Sequence, residues 1–216
     1  MEAKRSQAEP RPKWRRRAEA RPEEILEAAL EVFNERGFEA ARMEDVARRA
    51  GLSKAGVYLY FESKEALLKA LIEAKVAPIA QMARALAAAG GDDPRATIET
   101  LARAMAARMS DPKNIAVPRL MLSVASRFPD IAVHYRRCVI EVGRGALEAL
   151  VARGIERGDF RAVDAAAAAR AFIGPLIFEV MWTHVFGGES GFADSEALVQ
   201  RQLDILFHGL EKETSA

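Results

Sequence analysis

Apolar residues recur at three- and four-residue spacing along most of this chain, the pattern of helices that bury one face. Ile25, Ala28, Ala29, Val32 and Phe33 form a first stripe that Gly37 ends. Pro22, Glu23 and Glu24 suit the first turn of that helix, where a missing N–H is harmless and acids favour the dipole. A second stripe, Met43, Val46, Ala47 and Ala50, runs directly into Gly51. Ser63 caps a helix whose face Leu67, Leu68, Leu71 and Ile72 continues toward Ala89. At 1.5 Å per residue it spans about 40 Å, with a kink predicted at Pro78. Further helices are predicted from Asp93-Pro94 to about Ser110, around Leu120 to Ser126, from Pro129 or Asp130 to about Arg157, from Asp164 to Phe186 with a kink at Gly174-Pro175, and from Asp194 or Ser195 to about 211. No alternating Val/Ile-rich segment reads as a strand. The expected fold class is all-α, with about nine helices.

The stretch from Arg42 to Lys64 holds the densest information. Gly51 permits the left-handed conformation that closes a helix, Leu52 can pack into the corner, and Ser53 is a good N-cap for the next helix, Lys54 to Tyr60. This is a helix-turn-helix. Ala55 and Gly56 are small where a reading helix must approach base edges. Lys54, Tyr58, Tyr60 and Lys64 offer charge and hydroxyl groups to phosphates, while Val57 and Phe61 can anchor the helix inward. Taken by spacing alone, the same residues also describe an ordinary helical corner with a solvated basic face.

The run AGLSKAGVYLYFESKEALLKAL, preceded by a helix ending in RGF and by MEDVARRAG, resembles the N-terminal domain of the TetR family of bacterial transcriptional regulators. The likeness covers Pro22 to Leu71. Two departures stand out: Arg42 where the family usually has Thr or Ser, and Ala55-Gly56 where Gly-Thr is common. The resemblance implies base-edge contact by Glu44, Lys54, Ala55 and Leu59. It implies phosphate contact by Arg42, Gly56 through its backbone, Tyr58, Tyr60 and Lys64. It also implies a dimer, whose two reading helices would enter successive major grooves about 34–36 Å apart on a near-palindromic operator. The segment SRFPDIAVHYRR is similar to a C-terminal domain of efflux regulators in the same family.

With 216 residues, 50% hydrophobic and 29% charged, the chain can bury one sizeable core or two smaller ones. A net charge of +1 disfavours nucleic-acid binding through bulk charge, so any contact must come from local clustering. Such a cluster is the segment Met1 to Arg21, with eight Lys or Arg against three Glu. It is expected to be a disordered arm, either touching DNA or only solubilising. The domain reading is therefore an arm at 1–21, a helix-turn-helix domain at 22–63 and a helical ligand-binding and dimerisation domain at 64–213. One cysteine, Cys138, excludes an intrachain disulfide and fits a reducing cytoplasm. No uninterrupted apolar run is long enough for a membrane span, so no membrane partner is expected.

Met105, Met109, Met121, Phe128, Phe172, Phe178, Met181 and Trp182 can line a pocket for a bulky apolar effector, with His134 and Cys138 as polar contacts. The same residues at helical spacing also read as ordinary core. Phe172, Ile173, Leu176, Ile177, Val180 and Met181, with Leu203, Leu206, Phe207 and Leu210, cover a broad arc that suits a four-helix homodimer interface. His134, His184 and His208 lack zinc-motif spacing, so no metal site is expected, and no cofactor. Nucleophile elbow, P-loop and zincin motifs are missing, which argues against an enzyme. The expected function is a ligand-responsive repressor with double-stranded operator DNA and a small hydrophobic effector as partners. The alternative is a helical carrier or sequestering module without specific DNA binding.

Overall fold

The computed structural model describes residues 13–89, 93–109, 111–192 and 194–209, with side chains from residue 21 onward except Pro112. Among these residues there are nine continuous helical runs and no strand. They fall into two compact units, divided after Leu67. Residues 1–12 of the expected arm, Ser110, Leu210 and the three residues after it lie outside the described residues.

The first unit holds α1 (Lys13–Arg36), α2 (Met43–Arg49) and α3 (Lys54–Tyr58). The helix expected to open at Pro22 instead begins at Lys13, with Pro22 inside it. Proline removes one hydrogen bond from a helix interior. The Arg, Ala and Glu residues before it are good helix formers and carry the helix through. Ile25, Ala29, Val32, Phe33, Val46 and Val57 make the core, with Phe38 meeting Phe33 edge-on at 5.1 Å. The turn after α2 is a Schellman closure. The Leu52 N–H donates to the Ala47 carbonyl at 2.9 Å, the Gly51 N–H donates to that of Arg48 at 3.3 Å, and Gly51 sits at φ +66°. A side chain in that left-handed conformation costs about 1–2 kcal/mol. Gly51→Ala should therefore lower the unfolding free energy by about that much, read from a denaturant titration.

Ion pairs fix α2 to α1. Arg49 reaches Glu31 at 2.7 Å and Glu35 at 2.5 Å, holding the Glu35 carboxyl below the usual carboxylate range. Asp45, the one buried charged side chain among the described residues, pairs with Arg36 at 2.9 Å and with Arg48.

The next helix, α4 (Lys64–Leu71), carries the chain into the second unit and passes through a π turn at Ile72–Val76 into α5 (Ala77–Ala89). The irregularity expected at Pro78 lies one turn earlier, in that π turn. The Ala77 N–H reaches back five residues to the Ile72 carbonyl, re-registering the bonds just where Pro78 would crowd the carbonyl of Ala74. α6 (Pro94–Met109) follows, and then α7 (Pro112–Val124), which begins eight residues before the expected Leu120 because Asp111 caps it and Pro112 suits its first position. α8 (Pro129–Tyr135) continues through a second π turn, Arg136–Ile140, into α9 (Glu141–Arg157). α10 (Ala165–His184) is capped by Asp164 and runs unbroken past Pro175; α11 (Ser195–His208) is capped by Asp194.

α5 packs along α9, α9 on α10, and α6 on α11. Ala83, Ile98, Leu101, Leu150, Phe172 and Leu203 are central to this core. Among the described residues, α10 alone is long and apolar enough to cross a membrane by length and composition, with a mean hydropathy of 1.4. Arg170 and Glu179 interrupt its sequence, which is why no uninterrupted apolar run is visible there.

Candidate nucleic-acid interface and ligand cavity

The reading surface is built on α3. Its anchor is Val57, wholly buried, which turns the neighbouring positions outward. Lys54, Ala55, Tyr58, Leu59 and Tyr60 are all exposed, Leu59 to 83%. An aliphatic side chain this exposed at the tip of a short helix is available for an apolar contact such as a thymine methyl. α3 stops at Tyr58 rather than the expected Tyr60, since the Tyr60 N–H bonds to Val57 three residues back and tightens the last turn.

Two expected phosphate donors are already engaged. The Gly56 N–H donates to Ser53 Oγ at 3.0 Å, closing the N-cap, and a Cβ at Gly56 would stand 3.2 Å from that oxygen. Glycine thus makes room for the cap as much as for a ligand. Lys64 Nζ donates to the carbonyls of Phe38 at 2.9 Å, Glu39 at 2.8 Å and Ala41 at 3.4 Å, and lies 4.9 Å from the Phe38 ring centroid. The ammonium is turned toward the loop that joins α1 to α2, which gives this lysine a structural role.

Glu44 and Lys54 meet across the helix-turn-helix at 2.5 Å. The hydrogen bond from Lys54 holds the Glu44 carboxyl below its ordinary range and raises the Lys54 ammonium. Lys54 also stands 5.8 Å from the Tyr58 ring centroid. Arg42, the extended residue before α2, is exposed and makes no side-chain capping bond.

The second unit contains a cavity of about 710 Å³ that is partly open to solvent. Met105, Met109, Met121 and Phe172 of the expected set line it; Phe128, His134, Cys138, Phe178, Met181 and Trp182 do not. Helical phase explains the division. Phe172, Ile173, Leu176, Ile177 and Val180 share one arc of α10 and face the cavity, whereas Phe178, Met181 and Trp182 occupy the opposite arc. On α8 and its π turn, Tyr135 and Val139 face the cavity and His134 and Cys138 do not. Phe128 is the residue that precedes α8. Sequence reasoning missed Ile79, Ile115, Pro118 and Leu122 as lining residues, although their 3- and 4-residue spacing on α5 and α7 was visible.

Several polar groups also reach the wall. Arg108 donates to the Lys75 carbonyl, Arg136 pairs with Glu141, and Arg144 pairs with Glu148 at 2.5 Å. Burial pushes the Tyr135 phenol up to about 12, so it stays neutral and remains a hydrogen-bond donor. Of the remaining histidines, His184 ends α10 in an exposed position and His208 lies 3.1 Å from Asp204.

Two family models match the chain: "Bacterial regulatory proteins, tetR family" over residues 25–71 and "Tetracyclin repressor-like, C-terminal domain" over residues 91–194. The uncharacterized HTH-type transcriptional regulator YfiR of Bacillus subtilis is 51% identical over 53 residues, which is 24% of this chain and 26% of that protein. The chain therefore matches only about a quarter of the length of that curated relative. Among solved structures, the TetR family transcriptional regulator PfmR of Thermus thermophilus is 30% identical, with a TM-score of 0.64 over 87% of this chain and 99% of that one. The Bacillus subtilis regulator FadR, solved with stearoyl-CoA, is 19% identical over 88% of this chain and 99% of its own, with a TM-score of 0.62, a likeness of fold. An all-α chain with a helix-turn-helix at its N-terminal end, matched over nearly its whole length by such a relative, belongs to the TetR family of DNA-binding transcriptional regulators, a family of regulators and not of enzymes.

Proposed function

We propose that the protein is a cytoplasmic homodimeric repressor that binds a near-palindromic operator and is released by a bulky, mostly apolar effector. The observation that carries the DNA half of this reading is the outward face of α3, with Lys54, Ala55, Tyr58, Leu59 and Tyr60 exposed around a buried Val57. Lys54, Ala55 and Leu59 are the base-edge candidates, with Glu44 paired to Lys54 in the free protein. Arg42, Tyr58 and Tyr60 are the phosphate candidates. The 710 Å³ cavity, walled mainly by Met, Leu, Ile and Val side chains, supports the effector half, as does a relative of the same fold solved with an acyl thioester. Such a ligand regulates only by binding the DNA-competent and DNA-incompetent forms unequally, each tenfold difference shifting their balance by about 1.4 kcal/mol.

The test is a salt-titrated binding assay with DNA from upstream of the gene and from its neighbours. Protection of a near-palindrome, weakened by long-chain acyl compounds, is the expected result. Absence of sequence-selective binding at every salt concentration would leave the carrier reading standing.

Glu44→Gln gives a sharper outcome in the same assay. It removes the carboxylate that neutralises Lys54 in the free protein. Binding to all sequences should tighten at low salt, and the salt slope should steepen by about one unit. A loss of affinity confined to one operator position would instead assign Glu44 to direct reading of a base.

A further inference from the structure

Glu73, in the π turn that precedes α5, meets His134 and Cys138, which flank and occupy the second π turn. His134 Nε2 lies 3.1 Å from Glu73 Oε1 and 3.8 Å from Cys138 Sγ, and one ligand atom from each of the three falls within 4.8 Å of the others. We propose that these side chains form a binding site for zinc or a similar borderline-soft divalent cation, joining the two π turns.

The donor chemistry supports this. Carboxylate, imidazole and thiolate are the three side-chain donors that zinc accepts, and a neutral histidine with two anionic partners balances a charge of +2. Tetrahedral zinc with bonds of about 2.0–2.3 Å places neighbouring donor atoms roughly 3.3–3.7 Å apart. Nε2 is the common vertex of the cluster, already close to that spacing from both partners. The widest pair must contract by only about an ångström, which an exposed, flexible Glu73 can supply. Three protein ligands leave the fourth position to water.

The placement also suits a working site. Each π turn inserts a residue into its helix, so that Ala77 bonds to Ile72 and Glu141 to Arg136, five residues back in both cases. The His134-to-Cys138 step crosses the start of that widened turn. The same turns contribute Lys75, Val76, Arg136 and Val139 to the cavity wall. A bound ion would fix both turns and so constrain the cavity from outside.

The experiment uses the full chain, purified through a chelator and titrated with Co²⁺. Because Cys138 is the only cysteine, any thiolate-to-cobalt charge-transfer band reports that one side chain. Expected are one Co²⁺ per protomer, a charge-transfer band, the intense visible absorption of tetrahedral cobalt, and displacement of both by Zn²⁺. Cys138→Ser should abolish the band and weaken Zn²⁺ binding about 100-fold, and Glu73→Gln should weaken it about tenfold. Both changes are small and partly exposed, and far-ultraviolet circular dichroism verifies that each variant folds. Cobalt bound without the thiolate band, Zn²⁺ affinity unaltered in both variants, or no saturation by about 100 µM Zn²⁺ would each overturn the site. None of these readouts involves DNA, so the outcome is separate from that of the operator assay.

Discussion

Lys64→Ala should destabilise the N-terminal unit by about 3 kcal/mol while leaving the salt dependence of DNA binding unchanged. The ammonium donates to three carbonyls of the 38–41 loop, two of them at 2.8 and 2.9 Å, and rests near the face of Phe38. A hydrogen bond from a charged donor contributes about 1.5–3 kcal/mol net, and such contributions overlap within one network. Alanine also removes the donor from two part-buried bonds. A three-helix unit of this size has only a few kcal/mol in total, so most of its margin would go. Calorimetry should show an early transition for this unit. Binding measured at a temperature where the variant remains folded should retain the wild-type salt slope. The opposite pair of results, unchanged stability with a slope shallower by about one unit, would restore Lys64 to the phosphate contacts.

Lys64 illustrates where the sequence was legible and where it was not. Local signals carried the elements well: Gly51 before Leu52 and Ser53 specified a turn whose hydrogen bonds and φ are those expected, and Asp164 and Asp194 cap the helices that they precede. The helical period also located Val57 as the inward anchor of α3. What a long side chain reaches is not local. Nothing in the spacing of Lys64 says that its ammonium turns back to a loop some 25 residues earlier. Pro22 misled for a related reason. It lies inside α1, forgoing one hydrogen bond that neighbouring packing and propensity outweigh.

The candidate sites divide in the same way. The Met-rich part of the cavity was legible, because Met105 and Met109 share a face at four-residue spacing. The two arcs of α10 were not separated, because both are apolar and only the packed fold decides which one meets the cavity. The meeting of Glu73 with His134 and Cys138 was illegible to a search for closely spaced histidines. The four-residue step from His134 to Cys138 was the available signal; the third donor comes from a helix some sixty residues away.

Phe178→Glu should convert the proposed dimer to a monomer and reduce operator affinity by about 100-fold or more, a loss set by the second half-site no longer being tethered to the first. The interface expected from sequence needs revision first. Phe172, Leu176 and Leu203 are buried in the protomer's own core and are not available to a partner. What remains outside is the opposite arc of α10, with Phe178 at 62% exposure and Trp182, followed past the end of the helix by Val185 and Phe186 at 66%, and Ile205 on α11. Phe178 and Trp182 are stacked at 6.4 Å and present one continuous aromatic surface. Only 17% of the most apolar window of α10 is buried in the protomer. Moving an exposed large apolar side chain into an interface yields about 1.5–3 kcal/mol, so five of them exceed the lower estimates of what association costs. A second copy presenting the same arc satisfies both surfaces at once through a twofold axis. A carboxylate placed at position 178 of each copy must be desolvated in such an interface, which opposes association twice over. Because Phe178 is mostly exposed in the protomer, the variant should retain its helical content and thermal transition. Sedimentation at micromolar concentration should then give the protomer mass for the variant and twice that mass for the parent. A parent that already sediments as a monomer, or a variant that remains dimeric with full operator affinity, would remove this face from the assembly.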